Sequence, residues 1–356
     1  MNIRFLKRPL GWAAMTMTCC AYTASSSVTA AEPGVPRTIG TIERLDPALD
    51  ALVPADATLE IIGEGFDWSE GPVWVRDGGF LLFSDVPMNT IHRWDAAAGC
   101  SVFLKPSGYT GDVPRGGETG SNGLTLDRQG RLILCQHGDR RVARLDAPLD
   151  TPQPRYVTLA DRYDDGRFNS PNDACVHSSG AVYFTDPPYG LEGYQEDATK
   201  ISGKEIPYQG VYRIAPDGQV TLLTKDLERP NGIALSPDEK TLYVANSHPP
   251  RPIWMAYPVR DDGTLGEGRV LFDASHLASQ GRQGLPDGLK VDQHGNVFAT
   301  GPGGVLVISP AGEHLGTLLT GQATANCAFG EDGSTLFITA DSYLLRIRLT
   351  TSGKEN

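Results

Sequence analysis

From Ser69 onward the chain repeats one hydrophobic rhythm. A small or turn-forming residue precedes a polar one; then come apolar residues at alternate positions, a polar turn usually containing glycine, a second apolar run and a polar stop. The stretches SEGPVWVRDGGFLLFSD, SNGLTLDRQGRLILCQH, PNDACVHSSGAVYFTD, PNGIALSPDEKTLYVAN, PDGLKVDQHGNVFATG and ANCAFGEDGSTLFITAD all follow it. Alternation of period two, broken by a short turn, predicts a β-hairpin. Further alternating runs extend most hairpins: TIHRWD, RVARLD, GVYRIAPDG and GVLVISPAG as third strands, SVFLK, RYVTLA and QVTLLT as fourth ones. Six four-stranded units at intervals of roughly 40 to 60 residues predict an all-β, six-bladed β-propeller. A sandwich or a pair of β domains would not need one motif six times. The last unit ends in YLLRIRLT without a fourth strand, and TLEIIGEGF precedes the first unit without a blade of its own. That N-terminal strand is therefore expected to complete blade six and close the ring. The propeller is placed over residues 57–350, between a proline- and alanine-rich arm over 32–56 and a tail over 351–356.

The beginning of the chain has a different composition. Arg4, Lys7 and Arg8 are followed by a short, mostly apolar run and by small residues around VTAAE. This is the layout of a secretory signal peptide over residues 1–31, cut near Ala30 or Ala31, so the mature protein is expected in the periplasm or secreted. The apolar run is too short and too broken by threonine to span a bilayer. Removing three basic residues makes the formal balance, already −12 for the whole chain, more acidic. An acidic surface argues against nucleic acid or an anionic membrane as partner. Cys100, Cys135, Cys175 and Cys327 have no paired spacing; they are read as buried apolar residues, with room for one bridge.

The first strand of a propeller blade lines the central channel, so the residue that opens it stands near one mouth. Blade by blade that column reads Glu70, Asn122, Asn172, Asn231, Asp287 and Asn326. Local turn chemistry accounts for Asn and Asp before a strand, but not for Glu70 at the same register. Two carboxylates and several amide carbonyls converging on one axis predict a site for a hard divalent cation, most simply Ca²⁺, with Zn²⁺, Mg²⁺ or Mn²⁺ as alternatives. Competing chemistries leave no trace: there is no GxSxG, HExxH, P-loop or dinucleotide fingerprint, and the seven histidines show no HxH or HxxxH pairing. His137, in CQHGDRR, ends the second strand of blade two near the same mouth.

The motifs SEGPVW, FNSPNDACV, FTDPPYGL, RPNGIALSPD and LPDGLKVD resemble the gluconolactonase family, also called the senescence marker protein or regucalcin-like family. The resemblance runs from about Glu60 to Asp341. It implies a six-bladed propeller that holds a catalytic divalent metal and hydrolyses sugar lactones. Matched motif by motif, it puts metal ligands at Glu70, Asn231 and Asp287, and places Asn172 at the metal or the substrate. Asp287 is also the candidate general base. Asn122, His137, Asp186 and Tyr189 are expected around the mouth, where a hydroxyl-rich lactone needs amide and phenol partners. The chain departs from many bacterial relatives at Gln136 and Asp139. The other readings are a phosphotriesterase-type or other esterase, and a calcium-binding propeller without catalysis. Oligomeric state is not legible at this level.

Overall fold

Each predicted hairpin closes as an antiparallel pair, and later strands add outward in chain order. In the computed structural model, which describes residues 36–194 and 201–353, six four-stranded units form the blades of a propeller. Blade one runs Ser69–Val75, Phe80–Asp85, Thr90–Asp95 and Gly99–Leu104. The first strands of blades two to five are Ser121–Leu126, Ala174–Val176, Pro230–Leu235 and Leu289–Val291. Blade six is built from Thr324–Gly330, Thr335–Ala340 and Tyr343–Arg348, with Glu60–Glu64 as its outermost strand. The N-terminal strand thus closes the ring as expected. The leader expected over residues 1–31 lies outside the described residues.

The arm does more than lead into that strand. Thr41–Arg44 pairs antiparallel with His314–Leu319 and gives blade five a fifth strand. An outer strand left with unpaired N–H and C=O groups is a liability, and the arm covers it. Behind it, the short 3₁₀ helix Pro47–Ala51 is capped by Asp46, whose carboxylate accepts from the Ala48 N–H at 2.8 Å, and Leu49 is fully buried. Arg282 donates from both guanidinium ends to Glu43 at 2.8 Å. A four-residue alternation, TIER, carried too little signal to announce a strand.

The apolar cores lie between blades rather than within them. Trp254, Leu289, Val297 and Leu306 fill the wedge between blades four and five. Phe83, Trp94, Phe337 and Leu344 fill the wedge where blade six meets blade one, with Trp74 stacked on Phe337 at 5.4 Å. Stability therefore resides in the wedges, at a distance from the polar channel.

The first strands share one irregularity. In blades one, two, four and six the ladder to the second strand slips beside the opening residue, between Glu70 and Val73, Ser121 and Leu124, Pro230 and Ile233, and Thr324 and Asn326. Such bulges re-aim side chains. In blades two and four the slip falls on Asn122 and Asn231.

Candidate metal and substrate site at the channel mouth

Hydroxyls on the second strands fix the register of the ring. Ser84, Thr185 and Thr300 each donate to a backbone carbonyl of the next blade's first strand, those of Asn122, Asn231 and Ala325. Likewise the N–H groups of Gly123 and Gly288 donate to the Asn172 and Ala325 carbonyls. The upper ring is therefore Glu70, Asn122, Asn172, Asn231, Asp287 and Ala325. Asn326, expected in that column, stands one residue deeper. Its N–H donates to Thr339 Oγ1 as that of Asp173 does to Thr185 Oγ1. Matching Asn326 to the other ring asparagines caused the misreading: Cys327 enters the core where Ile233 and Leu289 do, which makes Ala325 the ring position.

The deeper layer has its own logic. It comprises Gly71, Gly123, Asp173, Gly232, Gly288 and Asn326, four glycines and two side chains on opposite blades. A Cβ on Gly288 would lie 1.9 Å from Asn326 Cγ, and one on Gly123 would lie 2.5 Å from Asp173 Oδ1. Glycine at these positions makes room for the two polar side chains that meet on the axis. Asn326 Nδ2 donates to Asp173 Oδ2 and to Glu70 Oε2, both at 3.4 Å.

The upper ring presents oxygen atoms without partners. Asn122 Oδ1, Asn172 Oδ1 and Asp287 Oδ1 are buried and accept no hydrogen bond, an arrangement that costs free energy unless something else satisfies them. The amide donors are meanwhile tied back. Asn231 Nδ2 donates to Ser247 Oγ at 3.1 Å, and Ser247 Oγ donates to the Pro286 carbonyl. Asn172 Nδ2 faces His137 Nε2 at 3.5 Å, while His137 Nδ1 lies 3.0 Å from Glu118 Oε2. A ring with its proton on Nδ1 accepts from the amide at Nε2, while Nδ1 has the Glu118 carboxylate near it without an aligned hydrogen bond; the Asn172 carbonyl oxygen is thereby turned away from the histidine.

Three carboxylates share this space. Burial, with repulsion from Asp173 behind it, pushes Glu70 up to about 8. Burial raises Asp173 too, opposed chiefly by the Lys290 ammonium. Asp287 is driven well above the ordinary carboxylate range by burial first, then by Glu70 and Asp173. Groups held this far from their ordinary behaviour mark a functional site. A hard cation would suit them: Glu70 and Asp287 supply charge, and Asn172 and Asn231 supply neutral oxygens. Among the described residues no three His, Cys, Asp or Glu side chains converge as a metal cluster, so the amide oxygens are essential to such a site.

The expected substrate contacts divide. Tyr189 is packed beside Asp287, whose charge raises its phenol further after burial, and it bonds to Ser247. Asn122 is in the ring. His137 is fully buried and acts on Asn172 rather than at the open mouth. Asp186 is buried, and its carboxylate accepts from the N–H groups of Asn169 and Ser170, both at 2.8 Å, fastening the segment that leads to Asn172. Gln136 and Asp139 serve the scaffold: Gln136 Nε2 donates to the Ser107 carbonyl, and Asp139 accepts from Thr110 and Arg141. The sequence reading missed Glu118, Asp173, Ser247 and Lys290. Asp173 had a visible signal, an aspartate where neighbouring blades have glycine after the ring residue.

Comparison with known proteins places the chain in a family. Residues 68–342 match the family described as SMP-30/Gluconolactonase/LRE-like region. A gluconolactonase from Zymomonas mobilis is 42% identical over 361 aligned positions, covering 98% of this chain and 99% of that one. A gluconolactonase structure from Xanthomonas campestris superposes with a TM-score of 0.75 at 32% identity, covering 90% and 99% of the two chains. A regucalcin from Agrobacterium tumefaciens, described as calcium-binding, shares the fold with a TM-score of 0.62 at 20% identity over 83% and 94%. With the family model matching residues 68–342 and 42% identity to a gluconolactonase over nearly all of both chains, the chain belongs to the SMP-30/gluconolactonase family.

Proposed function

We propose that the protein hydrolyses a sugar lactone at the channel mouth, using a divalent cation, most simply Ca²⁺, held by Glu70, Asn172, Asn231 and Asp287. Lactone hydrolysis is supported by the 42% identity to a gluconolactonase over almost all of both chains. The cation is supported by one observation above others, the buried and unpartnered oxygens of Asn122, Asn172 and Asp287 around a pair of carboxylates. When bound, such an ion polarises an ester carbonyl and stabilises the oxyanion formed on it. The side chains supply the rest. Asp287, whose Oδ1 is buried and accepts no hydrogen bond within the protein, takes the proton of the attacking water. That proton then passes to the ring oxygen as the lactone opens to the hydroxy acid. The Asn122 carbonyl and the Tyr189 phenol are placed to meet sugar hydroxyls. His137 and Ser247 hold the Asn172 and Asn231 amides so that their oxygens stay available.

Asp287→Asn separates base from ligand, because it keeps an oxygen but cannot accept the proton. With Ca²⁺ saturating, turnover of an aldonolactone followed by pH-stat should fall by roughly 10² to 10⁴. A near wild-type rate under saturation would remove Asp287 as the base and pass the role to Glu70. The leader supports export to the periplasm or beyond, with cleavage near Ala30 or Ala31. Lactones formed by sugar oxidation outside the inner membrane are then the substrates to hand.

A further inference from the structure

One partly buried charge beside the channel has no part in this chemistry. Lys290 is the middle residue of the first strand of blade five. Its neighbours Leu289 and Val291 enter the core between blades four and five, and strand alternation sends Lys290 to the opposite face, toward blade six, where it reaches Asn326 beside the channel. Its ammonium donates to the Leu289 carbonyl at 3.0 Å and to Asn326 Oδ1 at 3.3 Å. Asn326 Oδ1 also accepts from the Cys327 N–H at 2.9 Å. With its oxygen fixed twice, the Asn326 amide can turn only its Nδ2 toward Glu70 and Asp173. Gly288 leaves the space in which this happens.

The charges around the axis then balance in a particular way. Glu70, Asp173 and Asp287 contribute three negative charges when ionised, and Lys290 contributes one positive charge, leaving two to be met. Glu118 stands at the rim, about a fifth of its side chain exposed, beside His137; its charge reaches Glu70 and Asp287 less strongly than that of Asp173 does. We propose that Lys290 sets the charge of the channel site, so that it is matched to a divalent cation, and orients Glu70 through Asn326. Lys290 is thus a positioning and selectivity residue and touches no reacting atom. This rests on the cation reading above.

The test compares Ca²⁺ with La³⁺ on the metal-stripped mature protein by calorimetric titration, for wild type, Lys290→Met, Lys290→Gln and Lys290→Arg. The ratio of the two affinities is the readout, because any loss of alignment weakens both ions and largely cancels. Removing one positive charge beside the channel should move the ratio toward La³⁺ by roughly tenfold in the Met and Gln variants, while Lys290→Arg stays near wild type. Far-UV circular dichroism identifies any variant that has lost its fold, and the two neutral variants serve as independent copies of the test. A wild-type ratio in a folded neutral variant overturns the proposal. If wild type binds neither ion stoichiometrically, the cation reading fails first and this inference falls with it.

Discussion

Stripped of divalent ions, the channel should hold protons that Ca²⁺ expels. Glu70 sits at about 8 because of burial and the charge of Asp173, and Asp287 is raised well above its ordinary range by burial and Glu70. At pH 7 a carboxyl of that value is roughly 0.9 protonated, and the adjacent Asp287 shares a coupled titration with it. Entry of one ion should therefore release between about one and two protons. Calorimetric titration of Ca²⁺ in buffers of different ionisation enthalpy reads that number from the slope of heat against buffer enthalpy. Near pH 9.5 the Glu70 contribution should vanish. At pH 7, Glu70→Gln should lower the release by about one proton and weaken binding, with the circular dichroism unchanged because the apolar wedges lie elsewhere. The same shift has a sign for stability. A folded-state value raised above the unfolded one contributes fully below about pH 4.5 and is lost as pH rises through about 8, worth on the order of 5 kcal/mol for Glu70. The stripped protein should accordingly melt at lower temperature at pH 9 than at pH 5. A clear binding isotherm with no proton release at pH 7 would mean that both carboxylates are ionised before the ion arrives, and the burial argument would be wrong.

Two further outcomes are expected. Gly288→Ala places a Cβ 1.9 Å from Asn326 Cγ and should cost roughly 1–3 kcal/mol by overpacking, read as a lowered Tm together with weaker Ca²⁺ binding. Intact-mass measurement of exported protein should give a chain beginning at Ala31 or Glu32; a mass that retains residues 1–30 would argue against the leader.

Much of this molecule was legible before any coordinates because a propeller repeats itself. Six hairpins with one alternation could be counted, and the opening residue of each first strand pointed to the channel. Glu70, Asn122, Asn172, Asn231 and Asp287 were found that way. What escaped lacked a repeating signal. Glu118 comes from the irregular loop GDVPRGGETG, which has no counterpart in other blades. Lys290 occupies an ordinary alternating position and gains its meaning only from Asn326 across the channel. Asn326 was misplaced because its side-chain type matches the ring asparagines, whereas Cys327 takes the core position of Ile233 and Leu289 and so puts Asn326 one residue deeper. The fifth strand on blade five was hidden for a different reason: it is specified by the exposed edge it covers more than by its own four residues.

The decisive observation is turnover itself, titrated with the ion. Metal-stripped wild-type protein should hydrolyse an aldonolactone such as glucono-δ-lactone little faster than buffer, and pH-stat activity should rise with added Ca²⁺ to a plateau at one equivalent when the protein is well above the dissociation constant. The midpoint at lower protein concentration should coincide with the calorimetric Kd. Full activity persisting in excess chelator, with elemental analysis confirming an ion-free chain, would contradict a cation-dependent site in this channel.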